Sequence, residues 1–119
     1  MIFPANNRLL YFATGDGANL TAEMFAVPVW RFLGATPASA TTLDLKFSAS
    51  EGMRDDADYF DYVRLTIGSN THKVVINAIN DAINNNGRDM LLICDKDNDL
   101  FINSNITDCT IHYSVAAVA

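Results

Sequence analysis

The sequence predicts an α+β domain: an antiparallel-rich sheet of about six strands with one amphipathic helix over roughly residues 71–85. Three observations carry that prediction. Several stretches alternate apolar and polar residues with period two, the mark of half-buried strands. The period changes once, between Thr71 and Asn85, where Val74, Val75, Ala78, Ile79, Ala82 and Ile83 form the stripe of an amphipathic helix. The chain also holds 12 Asp and 12 Asn but only 2 Glu. Asp and Asn bond locally in turns, whereas Glu prefers helix interiors, so the composition is that of a turn-rich, mostly β protein. A length of 119 residues fits one domain, 1–119, large enough to bury a core without metal or disulfide staples.

Along the chain, Arg8 to Thr14 (RLLYFAT) is a strand that stops at the turn signal Gly15-Asp16-Gly17. Met24 to Leu33 (MFAVPVWRFL) is the most apolar stretch. Pro28 removes a ladder donor and confines it to an edge strand, a bulge or an extended crossover. Gly34 to Ala40, with Pro37 and small residues, reads as a loop. From Thr41 to Ser48, Leu43, Leu45 and Phe47 face one side and Asp44 and Lys46 the other. An acidic loop from Glu51 to Asp61 leads to a second alternating strand, with Val63, Leu65 and Ile67 inward, and the two strands pair as a long-looped hairpin. The helix starts at a cap oxygen from Ser69, Asn70 or Thr71, and ends at Gly87, with Arg88 suited to its negative pole. Met90 to Cys94 reads as a strand buried on both faces, Asp95 to Asp99 as a turn, and Leu100 to Ile102 as a short strand. Thr107 to Val115 alternates again.

Charge narrows the functions. The net charge is −6, neutral over residues 1–50 and −5 over 51–100. Nucleic acid and anionic membrane surfaces attract the opposite balance, so neither is expected as a partner. The start of the chain lacks the pattern of a signal peptide, with Arg8 breaking its apolar run, and the longest apolar run falls far below the ~20 residues of a membrane span. Synthesis in a cytoplasm is expected, with Cys94 and Cys109 as free, buried thiols.

Chemistry-bearing residues are few. Asp95, Asp97 and Asp99 occupy positions 1, 3 and 5 of a calcium-type loop, but Leu100 and Ile106 stand where the glycine and closing glutamate belong. In the acidic loop, Asp55, Asp56, Asp58 and Asp61 could hold a divalent ion through oxygen ligands, or form a charged surface loop. His72 and His112 show no pairing with the two cysteines that would suit a zinc site or a nucleophile–base pair. No phosphate loop, nucleophile elbow or dinucleotide fingerprint is present. The expectation is a non-enzyme without a cofactor. Phe25, Val27, Val29, Trp30 and Phe32 are too many and too close to fill one strand face. They form a core crossover, a contact surface for another chain, or both, with Val115 and Val118 in the small-residue tail as a second contact candidate.

The stretch Val63-Arg64-Leu65-Thr66-Ile67, through His72-Lys73-Val74-Val75 to Ala82-Ile83-Asn84, resembles small structural proteins of marine tailed bacteriophages. There an inward-alternating strand runs into a helix opened by a His-Lys pair, followed by a turn-rich pair of strands. The likeness spans about residues 41–115. It implies a virion component, a capsid decoration or cement protein that forms a homo-oligomer, a trimer favoured, over a major capsid protein. The alternative, from the residues themselves, is a small acidic module binding a divalent ion or small ligand through its Asp-rich loops.

Overall fold

Alternation decides the inner rows of this protein. A computed structural model describes residues 8–15, 23–48, 59–85 and 90–116. The elements are β1 (Leu9–Ala13), β2 (Met24–Pro28), a single 3-10 turn (Val29–Arg31), β3 (Phe32–Ser39), β4 (Thr42–Ser48), β5 (Tyr59–Ile67), α1 (His72–Asn85), β6 (Met90–Asp95), β7 (Leu100–Phe101) and β8 (Ile106–Ala116).

The α+β class and its single described helix stand, but the strand layout differs from the expectation. Among the described residues, eight strands form two four-stranded sheets, in the orders β2-β1-β6-β7 and β3-β4-β5-β8. The second sheet is wholly antiparallel, and the first contains one parallel pair, β1 with β6. The two extra strands are β2, from the apolar stretch left open between strand and crossover, and β3, most of which lies in the Gly34 to Ala40 segment that local composition marks as a loop. Pro37 is tolerated there because β3 lies at a sheet edge, and register shifts absorb the misfit on both sides of the strand. The apolar stretch Met24 to Leu33 is therefore not one element. It ends β2 at Pro28, turns through Val29–Arg31 and enters β3, carrying the chain from one sheet to the other.

The two sheets share one core. Leu10 and Phe12 of β1, Phe25 and Val27 of β2, and Leu91 and Cys94 of β6 come from the first sheet. Leu43, Leu45 and Phe47 of β4, Val63, Leu65 and Ile67 of β5, and Cys109 and Ile111 of β8 come from the second. Phe47 joins them through ring contacts at 6.0 Å to Phe12 and 5.5 Å to Phe25. Each such ring contributes a few kcal/mol by leaving water, and edge-to-face pairing adds about 1 kcal/mol. The expected β4–β5 hairpin is present, with Leu43 opposite Leu65 and Leu45 opposite Val63.

The helix is held at both ends. Thr71 occupies the cap position: its carbonyl accepts from Val75 N–H, and its hydroxyl donates to Gly68 O at 2.7 Å. His72 Nε2 reaches Ser39 O at 2.8 Å and Thr42 O at 3.1 Å, pinning the first turn to the β3–β4 corner. At the far end the buried Arg8 donates to Ile83 O at 2.7 Å, so the cation that serves the negative pole comes from 75 residues away. Gly87 and Arg88 lie outside the described residues. Val75 and Ile79 enter the core, and Ala82 and Ile83 pack at its margin. Among the described residues no helix is long and apolar enough to cross a membrane.

Candidate assembly surface

The turn between β2 and β3 is fastened by its own arginine. Arg31 Nη2 meets Asp61 Oδ2 at 3.1 Å and also donates to the Ser48 carbonyl, while Nε reaches Ser48 Oγ at 3.4 Å. The Asp61 side chain is fully buried and that of Arg31 nearly so. Ser48 closes β4 and Asp61 lies near the start of β5, so one guanidinium ties both stems of the acidic stretch 49–58. A buried pair with extra hydrogen bonds makes the local geometry expensive to change, whatever its net contribution to stability.

That clamp leaves Trp30 outside. Its neighbours Val29 and Phe32 pack against the core, Phe32 with its ring 5.5 Å from Phe47, but Trp30 is 62% exposed and Leu33 64% exposed. Phe25 and Val27 are buried at the centre of the core, so they offer no surface to another chain. Of the sequence-predicted contact residues, Trp30 is freely presented and Val29 and Phe32 are marginal. Val115 is paired with Phe60 in the β5–β8 ladder, its side chain outside the description, and Val118 lies outside the described residues.

Beside the turn is a groove of about 430 Å³ between α1 and the second sheet, with Val29, Phe32, Ala35 and Leu45 on one wall and Ile76, Asn77, Ile79, Asn80 and Ile83 on the other. None of these residues is charged. Helical spacing places Ile76, Asn80 and Ile83 on the flank of α1 next to the buried stripe. The sequence pattern counts Ile83 in the apolar stripe but leaves Ile76 and Asn80 outside it; the approach of β3 makes them a wall.

The acidic candidates do not converge. Asp95 is buried and committed to its own turn, accepting from Asn98 N at 3.2 Å and from Asn98 Nδ2 at 2.9 Å. Lys96 lies 3.7 Å from Asp99, and Asp97 points to solvent. Burial, with the nearby Asp95 and Asp97 charges, pushes the Tyr11 hydroxyl above its ordinary pKa. Asp55 and Asp58 lie outside the described residues. Among the described residues no group of three ligating side chains is placed to hold a metal ion.

The cysteines meet, but as packing. Cys94 and Cys109 are free and buried, and the Cys109 thiol lies 3.7 Å from the Ala13 carbonyl. A hydrogen bond with Cys109, reinforced by burial, pushes the Cys94 thiol far above its ordinary range, which suppresses the reactive thiolate. His112 stacks on Tyr62 at 4.3 Å on the outer face of the second sheet, away from both thiols.

No protein family matches this chain, and neither curated proteins nor solved structures give a match.

Proposed function

We propose that this protein is a non-enzymatic structural protein of a phage particle, a capsid decoration or cement protein that acts by self-association, a trimer favoured, and by contact with a major capsid protein. The observation that carries the reading is the exposed apolar pair Trp30 and Leu33, which stand outside the core formed by the described residues. Large apolar side chains beside an uncharged groove have no role in such a core, and surfaces of this kind mark contacts with other chains. Closed symmetry is the usual way a small protein buries one patch repeatedly. The likeness of residues 41–115 to virion proteins supplies the setting. Of the two loops the acidic-module alternative relies on, that of Asp95 to Asp99 has its first carboxylate engaged by Asn98.

The test has two arms. Light scattering behind size exclusion gives the absolute mass, where a closed oligomer of the 13.0 kDa chain supports self-association and a monomer at all concentrations overturns it. Co-expression with a major capsid protein, followed by sedimentation, then asks for recovery of this chain with assembled shells. Failure to sediment with them overturns the decoration role.

A further inference from the structure

We infer that the groove between α1 and β3 is the receptor for Trp30 of a second copy of this chain, so that each copy gives one indole and receives one. The inference rests on the self-association reading above and names its contact.

Three observations favour a second copy as the occupant. The knob and the receptor are built from adjacent residues: Val29 and Phe32 line the groove, while Trp30 and Leu33 stand out from it. A surface carrying both halves of a contact is self-complementary, and such contacts close under two-fold or ring symmetry. Charge points the same way. The chain is −6 overall, so most faces of two copies repel. The eight residues of β3 carry no charge, and the groove flank of the helix offers only Ile76, Asn77, Asn80 and Ile83. Two acidic molecules can meet here without opposing carboxylates. Area is the third. Trp30, Leu33 and the groove walls present on the order of 400 Å² of apolar surface, close to the roughly 450 Å² that forms the apolar share of one partner in a standard-size interface.

Asn77 and Asn80 give the groove its polar element. Their side-chain carbonyls can accept a hydrogen bond from the indole N–H, whose burial otherwise leaves a donor unmet. Asn80 already accepts from Asn84 Nδ2 at 3.1 Å through its Oδ1, which fixes the amide's orientation.

Trp30 is the only tryptophan in the chain, so its fluorescence reads the contact directly. The expected result is an emission shift to shorter wavelength on raising the protein concentration, following the rise in mass by light scattering. Ile76→Arg, which obstructs the groove and leaves the indole intact, abolishes both changes, and Trp30→Ala abolishes the mass change. Val74→Arg, at a position the sequence counts in the apolar stripe but the structure leaves half exposed on the other flank of the helix, abolishes neither. Circular dichroism and the melting temperature verify that each variant is folded. If the wild type forms an oligomer while Trp30 emission stays that of exposed indole, or if the oligomer survives Ile76→Arg and Trp30→Ala, the groove contact is overturned and self-association stands. A wild type that remains a monomer overturns both.

Discussion

The outer face of β4, β5 and β8 and the side where β3 meets α1 treat their large side chains in opposite ways. On the first, neighbours within the same face engage one another. Arg64 forms a two-point bridge to Asp44, at 2.7 and 3.0 Å, and its guanidinium lies 5.6 Å from the Tyr62 ring. Tyr62 stacks on His112, whose Nε2 lies 3.1 Å from Thr110 Oγ1, and Lys46 sits 5.4 Å from the Phe60 ring. On the second side, Trp30 and Leu33 project to solvent beside an uncharged groove. A face satisfied by its own cross-strand pairs gains little from a partner. The other side would gain by leaving water, and the proposed contact is placed there for that reason.

Four experiments break or sharpen this contrast, in falling order of effect. Asp61→Ala leaves Arg31 without its buried counter-ion and should cost about 4 kcal/mol, the range for breaking a buried pair. Urea denaturation checks it, as a lowered midpoint at similar slope; an unchanged midpoint shows that the clamp does not hold the turn carrying Trp30. Ile79→Ala removes a buried anchor of the groove's helical wall and should cost about 3 kcal/mol. Hydrogen exchange should then show opening concentrated in α1.

Arg64→Ala, on the self-satisfied face, should cost only about 0.5 kcal/mol, because that pair is partly exposed and screened by salt. It should also leave the solution mass unchanged, whereas a loss of assembly reverses the assignment of the two faces. The smallest effect is on pH. Tyr11 has a raised pKa in the fold, so the unfolded chain loses that proton first as pH rises. Stability from this group is complete below its unfolded value of about 10 and is lost as pH climbs through the higher folded value. Melting curves from pH 8 to 11 should fall more steeply for the wild type than for Tyr11→Phe, and equal slopes remove Tyr11 from the account.

Most elements were legible because their signals are local. Leu43-Asp44-Leu45-Lys46-Phe47 announces a half-buried strand at any place in a fold, and the 71–85 stripe announces a helix, observed at His72–Asn85. β3 was not legible, since Gly34, Ala35 and Pro37 have weak strand preference and pair only because β4 lies alongside. The contact surface was half legible. Met24 to Leu33 stands out as too apolar for one strand face, but which of its residues face out depends on Pro28 ending β2 and on the turn that follows.

By itself, then, the sequence determined the α+β class, the inward-facing rows of β4 and β5, the helix, the acidic balance and the buried state of Cys94 and Cys109. Each follows from periodicity, composition or a residue's own preference, and none requires knowing a distant neighbour. The tertiary structure alone decided that the strands split into two sheets, that β1 runs parallel to β6, and that Phe25 and Val27 turn inward while Trp30 turns outward. It also brought Arg31 to Ser48 and Asp61, 17 and 30 residues away, and set Ile76 opposite Phe32 across one groove. These are contacts between segments far apart in the chain, and their geometry comes from how two sheets and a helix close on a shared core, which no local pattern encodes.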